Sequence, residues 1–288
     1  MYDTEMLQVY RKMVVERHLI WERRQAGEPG PWTTDPILSN LKMTNMFRML
    51  DPGSQFVFDL DTDDPVDVIA RLILYRITNL PETWYAMSQA LGGFPNAEDM
   101  TEDLTKILRE YRGVGNQIFS GAYIIMPEPG LRGGDKLVGV VKLVRRFLDG
   151  PLLSVFLGAT TEDTRYQALR GTAGLGDFLS MQVLADWQYL QEDLPDLSFV
   201  VAGPGAKRGA RLLHPSLSAE DVIRKLTMEW TSNPVVHVNG RSLTPMDVQN
   251  TLCEFSKYAR EIKNPRKKTP YKPAHPGQQP KPLTPHWW

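Results

Sequence analysis

Apolar side chains recur along this chain mostly at intervals of three and four, the period of a helix with one buried face. Residues 3–26 carry Leu7, Tyr10, Val14, Leu19 and Trp21 in this pattern among many charges, and Gly27-Glu28-Pro29-Gly30-Pro31 ends it. Asp35-Pro36 is a start signal, because an aspartate oxygen caps open N–H groups and proline suits a first turn. It predicts a helix carrying Leu38, Leu41, Met46, Phe47 and Leu50, stopped by Asp51-Pro52-Gly53. Asp64-Pro65 repeats the signal ahead of a strongly apolar stretch, Val68, Leu72, Ile73, Leu74, Tyr75 and Ile77. Further helical patterns cover 82–91, 99–112, 135–149, 161–169, 176–190, 205–213, 218–230 and 245–262. Against these stand a short β-rich stretch at 117–126 and another at 234–240, which reads as a strand or an extended loop. The expectation is a mainly α-helical domain over 1–263 with no internal repeat.

Two glycine-rich turns interrupt the periodicity, each opening a predicted helix. The first is Gly171-Thr172-Ala173-Gly174-Leu175-Gly176-Asp177-Phe178; the second is Gly203-Pro204-Gly205-Ala206-Lys207-Arg208-Gly209-Ala210-Arg211. A helix start has unsatisfied N–H groups and a partial positive charge, and glycine lets a ligand come close to them. Both turns are candidate anion sites, and the second adds Lys207, Arg208 and Arg211 at its mouth. The competing reading is plain packing: glycines for close helix contact and cations facing water.

With 288 residues and 42% hydrophobic content the chain can bury a real core. No apolar run reaches the roughly eighteen residues of a membrane span, and the N-terminus lacks the basic-then-apolar order of a secretory signal. Cys253 is the single cysteine, so an intrachain disulfide is impossible and a cytoplasmic home is expected. Five scattered histidines make a zinc site improbable, and no metal is expected. The net charge of −1 conceals an asymmetry: residues 263–288 hold six cations and no acid, leaving an acidic body. Seven prolines among residues 264–288 predict a disordered tail that adds a salt-sensitive pull on nucleic-acid phosphates.

Gly174-Leu175-Gly176, flanked by apolar helices, resembles the hairpin of the helix-hairpin-helix DNA-binding motif, which offers backbone N–H groups to DNA phosphates. In the base-excision glycosylases of that superfamily a catalytic lysine follows the hairpin; here that place is Phe178. The superfamily's aspartate falls on Asp196 by count, or on Ala202 if the valine pair before the next helix is matched. A narrower resemblance covers about residues 31–260. It is carried by Pro31-Trp32-Thr33-Thr34-Asp35-Pro36-Ile37-Leu38, Lys42-Met43-Thr44-Asn45-Met46-Phe47-Arg48, Asp51, Ile118-Phe119-Ser120-Gly121-Ala122-Tyr123, Leu175-Gly176-Asp177-Phe178-Leu179, the Gly203 turn, and Leu252-Cys253-Glu254-Phe255-Ser256-Lys257-Tyr258. These are similar to the phage thymidine-hypermodification family that includes the helical domain of 5-hydroxymethyl-deoxyuridine DNA kinase, the α-glutamyl/putrescinyl thymine pyrophosphorylases and the amino acid:DNA transferases.

The resemblance implies a helix-hairpin-helix, DNA-glycosylase-like helical fold and a bacteriophage enzyme working in the host cytoplasm. Its substrate would be double-stranded DNA in which a separate DNA kinase has pyrophosphorylated 5-hydroxymethyl-uracil. A small amine, an amino acid or a polyamine, would displace the pyrophosphate, with Mg²⁺ possible as its companion and no other cofactor. Gly174, Leu175 and Gly176 would contact DNA. Gly203, Gly205, Lys207 and Arg208 would hold pyrophosphate. Lys42, Asn45 and Arg48, on one face of the predicted helix, form a second anion-binding set, against a bland reading as a solvated stripe. The amine must lose a proton, so a carboxylate is needed. Glu254, beside Lys257, competes with Asp35, Asp51 and Asp196 for that role. Cys253 reads as a small buried hydrophobe. Trp32, Trp84, Tyr123 and Trp187 read as core, one of them free to stack on a base. Two other functions fit the same features: a non-catalytic DNA-binding module assisting a kinase, and a true base-excision glycosylase, which Phe178 weakens.

Overall fold

The computed structural model describes residues 2–121, 135–191 and 197–265. In chain order its helices are α1 (Thr4–Gln25), α2 (Pro52–Gln55), α3 (Pro65–Thr78), α4 (Pro81–Leu91), α5 (Glu102–Gly113), α6 (Lys136–Leu148), α7 (Pro151–Gly158), α8 (Glu162–Arg170), α9 (Asp177–Tyr189), α10 (Pro204–Leu213), α11 (Ala219–Ser232) and α12 (Pro245–Lys263). The fold is mainly α, as the periodicity predicts. Among the described residues there is no strand; the stretch at 234–240 supplies a single bridge, Val238 to Arg241. Most starts are set by side chains that accept from open N–H groups: Asp3, Asp64, Thr101, Asp135, Thr161, Ser218 and Thr244.

The chain divides into two compact units, one from residues 1–55 with 196–288, the other from 56–195. In the first, α12 is the central helix. α10 packs along it, with α1 and α11 against the same pair. Tyr10 of α1 stacks on Trp230 and packs at a tilt against Phe255, ring centroids 5.4 and 4.9 Å away, and its hydroxyl meets Thr251 Oγ1 at 2.5 Å. The α10–α12 crossing is close because α10 presents glycine to it. A Cβ on Gly209 would sit 2.1 Å from the Leu252 carbonyl oxygen, and one on Gly205 2.3 Å from Cys253 Sγ. Part of the glycine turn's composition is therefore explained by packing.

In the second unit α3 is buried along nearly its whole length and packs on α6 and α9. Arg76 of α3 forms a two-pronged ion pair with Asp186 of α9, the second prong at 2.6 Å, and both side chains are buried. Arg76 Nη1 also donates to Asn79 Oδ1 at 3.2 Å. α8 and α9 pack on each other and are joined by a tight turn. Gly174 adopts φ +102°, a left-handed conformation, and a Cβ there would meet Leu143 Cδ1 at 2.8 Å. Leu175 is buried while Gly174 and Gly176 are exposed. Trp84 and Trp187 are core, whereas Tyr123 lies outside the described residues.

Three expectations need correcting. The helix predicted from Asp35 to Leu50 does not form. Asp35 does cap, its Oδ1 accepting from Ile37 and Leu38 at 2.8 and 2.9 Å. The backbone then makes one turn, runs irregularly, and closes in the short 3₁₀ turn Arg48–Leu50. Its polar groups are met by side chains from elsewhere, which removes the advantage of an internal ladder. Lys42, Asn45 and Arg48 consequently do not share a helical face. Helix α7 was not anticipated, because Pro151-Leu152-Leu153-Ser154-Val155-Phe156-Leu157-Gly158 has no polar face to produce a period. The β-rich stretch at 117–126 is turn and loop over 117–121, and its remainder lies outside the described residues, as does the tail from 266 onward.

Two stability outcomes follow. Asp186→Ala leaves a buried guanidinium uncompensated and is expected to cost about 3–5 kcal/mol in urea unfolding; a loss below about 1 kcal/mol would contradict the role given to the pair. Gly209→Ala gains about 1 kcal/mol of helix propensity, but its clash is with backbone, so a net loss of roughly 1–3 kcal/mol is expected. Gly205→Ala clashes with a side chain instead. Cys253→Ala should therefore rescue Gly205→Ala and not Gly209→Ala, read from the same unfolding midpoints.

Candidate active site

The first unit assembles the candidate site around one face of α12. Asp247, Asn250, Glu254 and Tyr258 follow at spacings of three or four, so they form a polar stripe along the helix. The irregular segment 35–51 lies on that stripe. Asp247 Oδ1 accepts from the Arg48 backbone N–H at 2.6 Å, while its Oδ2 completes the Thr244 capping box. Asn250 Nδ2 donates to the Asn45 carbonyl at 2.9 Å, and Thr44 Oγ1 lies 3.2 Å from Asn250 Oδ1. Tyr258 donates its hydroxyl to Asp35 Oδ2 at 2.6 Å. From α1, Arg17 Nη2 reaches Asn45 Oδ1 at 2.7 Å and the Met43 carbonyl at 3.1 Å. Three of these contacts, from Asp247, Asn250 and Arg17, serve backbone groups that an internal helix would otherwise pair.

The segment ends at Asp51, whose carboxyl feels the charge of Glu254. Asp51 Oδ1 accepts from the Asn45 N–H at 2.7 Å. Loss of solvent is the main influence on this carboxyl and pushes its pKa up to about 7; the Asn45 N–H and Arg17 pull it down, Glu254 raises it further, and Arg48 lowers it. Glu254 is 2% exposed. Its Oε1 accepts from Lys257 Nζ at 2.7 Å, and its Oε2 is buried without a hydrogen-bond partner among the described residues. Burial works against the Lys257 charge, but Glu254 more than offsets it and the pKa of Lys257 is raised. Burial first, and then Glu254, raise the Cys253 thiol, with Lys257 and Arg208 pulling the other way. Cys253 is thus a protonated packing residue within the electrostatic influence of two cations, not a poised nucleophile.

The glycine turn of α10 meets this site from the other side of α12. Gly203 N donates to Gln249 Oε1 at 3.4 Å and Ala202 N to Glu220 Oε1 at 3.1 Å, so two of the turn's N–H groups are taken by protein acceptors. Gly205 rests on Cys253, and Lys207 and Arg208 are exposed. Asn45 and Arg48 therefore lie on the α12 stripe that carries Glu254, which pairs with Lys257, whereas Gly203 and Gly205 lie against Gln249 and Cys253, where Arg208 influences the thiol. Asp35 sits at the far end of the stripe, committed to a turn and to Tyr258. Lys42 is exposed on the segment. Asp196 lies outside the described residues. No group of three or more His, Cys, Asp or Glu placed to hold a metal ion occurs among the described residues. No helix of the described residues is long and apolar enough to cross a membrane.

Gly174, Leu175 and Gly176 belong to the second unit, with the two glycines exposed. Leu175 is the buried plug of the turn, and its N–H donates to the Thr172 carbonyl at 3.0 Å. Exposed Gly176 caps α9 through its carbonyl to Ser180 N at 3.0 Å. Arg146 crosses to the Ala173 carbonyl at 2.7 Å, and Arg170 pairs with Asp177 across the hairpin.

Arg17 and Asp247 went unnoticed in the sequence. Each sits in a helix that reads as ordinary, and its partner is far along the chain. Asp51 was one of four competing carboxylates, and its raised pKa comes from tertiary surroundings that its neighbours in sequence do not reveal.

The raised Asp51 carboxyl links stability to pH. A folded-state pKa above the unfolded one gives stability that is complete below about pH 4 and is lost as pH rises through about 7. Asp51→Asn keeps the oxygen that accepts from Asn45 and cannot ionise. The variant's stability relative to the native chain is expected to rise between pH 5 and pH 8 in urea titrations. A difference that does not change with pH would mean that Asp51 ionises normally.

With the geometry described, comparison places the chain among known proteins. Residues 4–268 match the family described as "5-hmdU DNA kinase, helical domain". The 5-hmdU DNA kinase of Bacillus phage SP10 is 25% identical over 279 residues, covering 85% of this chain and 43% of the phage protein. The chain thus spans less than half the length of that relative. No solved structure matches it. The match runs through both units and through every segment that builds the Asp51–Glu254 site, and the chain belongs to the 5-hmdU DNA kinase helical-domain family.

Proposed function

We propose that this chain acts in thymidine hypermodification of phage DNA, as a transferase that replaces the pyrophosphate of pyrophosphorylated 5-hydroxymethyl-uracil with an amine. The observation that carries this reading is Asp51, pushed up to about 7 beside the buried Glu254. An acceptor with a pKa near working pH is what an amine nucleophile needs. In the reaction the amine nitrogen bonds to the exocyclic methylene carbon and the C–O bond to pyrophosphate breaks. The pyrophosphate leaves with the bonding pair, and an N–H proton passes to Asp51. Glu254 stabilises the positive charge that develops on nitrogen. Lys257, Lys207, Arg208 and the α10 N-terminus favour the departing anion. The methylene carbon projects into the major groove, and the exposed Gly174 and Gly176 at the α8–α9 turn suit contact with DNA phosphates.

A second reading has its own support. The phage relative is named a kinase, and this chain corresponds to under half of it. The chain would then be a DNA-binding part that serves a kinase without a chemical step of its own.

Single-turnover assays on kinase-treated DNA separate the two. Amine-dependent pyrophosphate release is expected, with the rate rising through about pH 7. Asp51→Asn and Glu254→Gln should slow it by roughly 10²-fold or more, and the double variant Lys207→Ala, Arg208→Ala by a comparable factor, with DNA affinity little changed. Variants that only weaken DNA binding would favour the kinase-assisting module. Amine-independent release would mean hydrolysis, and abasic sites would mean a glycosylase.

A further inference from the structure

Among the charges of α1, Arg17 reaches the segment that ends at Asp51. Its Nη2 donates to the Met43 carbonyl at 3.1 Å and to Asn45 Oδ1 at 2.7 Å. Asn45 in turn donates its backbone N–H to Asp51 Oδ1 and its Nδ2 to the Leu50 carbonyl, both at 2.7 Å. Guanidinium and carboxylate are thus joined through a single residue.

We propose that Arg17 is the positioning residue of the Asp51–Glu254 site, holding segment 43–51 in place and supplying a positive charge that Asp51 faces. This rests on the reading of Asp51 as the proton acceptor. A tether alone would need only a hydrogen-bond donor, and an amide would serve. The charge matters because of what else surrounds Asp51. Glu254 faces it from α12 with a negative charge, and Arg48 faces it from its own segment with a positive one. Lys257 is committed to Glu254 at 2.7 Å. His18, next to Arg17 on α1, is held toward its neutral form first by burial and contributes no compensating charge. Without Arg17, a carboxyl starved of solvent and under the influence of Glu254 keeps only the Asn45 N–H and the Arg48 charge to favour its ionised form. It would then keep its proton above neutral pH and could not accept one from an amine.

The test is a ¹³C-carboxyl NMR titration of Asp51 in the full chain, with Arg17→Met, Arg17→Gln and Arg17→Lys. Met removes both charge and donor. Gln keeps a donor for the segment without the charge, and covers the case in which the Met variant does not fold. Both are expected to move the Asp51 midpoint upward from about 7, by roughly one pH unit. Lys restores the charge and should return the midpoint close to native. A folded Met or Gln variant titrating like the native chain overturns the proposal, as does a Lys variant shifted as far as Met. The acid limb of the single-turnover rate is measured alongside. If the Asp51 midpoint moves and the limb does not follow, the proton-acceptor reading fails while Arg17's hold on Asp51 stands.

Discussion

An irregular segment pressed against helices must find partners for its backbone groups away from water, since each buried group left unpaired costs about 1–3 kcal/mol. Segment 35–51 meets this constraint with side chains. Asp247 takes the Arg48 N–H, Asn250 serves the Asn45 carbonyl, Arg17 serves the Met43 carbonyl, and Asp51 itself takes the Asn45 N–H. The position of Asp51 is therefore a result of the hydrogen bonding that keeps the segment out of a helix. Scaffold and site share the same residues, and changing one changes the other.

The same economy shapes the charges. Arg17, Arg48 and Lys257 surround two carboxylates, one of which has a buried oxygen without a partner among the described residues. Such an arrangement would be expensive as mere architecture, because buried ion pairs seldom recover their desolvation cost. The second unit offers the contrast. Arg76 and Asp186 are also buried, but they meet through two hydrogen bonds with a third to Asn79, so their geometry is saturated. One cluster is complete and structural. The other is unsaturated and has a carboxyl near its titration point, the condition expected of a group that exchanges protons.

The α10 turn shows that packing and binding need not compete for the same glycines. Gly205 and Gly209 are required by the α12 backbone and Cys253, so their presence says nothing about an anion. The cations beside them are exposed and carry no packing duty, and Arg208 acts on Cys253 beside Glu254. What the turn contributes to a reaction thus resides in Lys207, Arg208 and the helix start. The hairpin at Gly174 is different: its left-handed glycine lies close against Leu143 of α6, and Arg146 of the same helix donates to the Ala173 carbonyl.

What the sequence by itself determined is local. Helical period, aspartate and threonine caps and proline starts set nearly all the helices, because these signals act within one or two turns. The Gly174 hairpin was legible for the same reason, and Glu254 with Lys257 was readable as a pair three residues apart. Tertiary structure decided the rest. The segment after Asp35 has a good cap and a helical period, yet partners some two hundred residues away on α12 outbid its internal ladder. That choice broke up Lys42, Asn45 and Arg48 as a shared face and raised Asp51 above its rival carboxylates. Burial and the charges of distant neighbours set a proton affinity, and neither is written in the residues on either side.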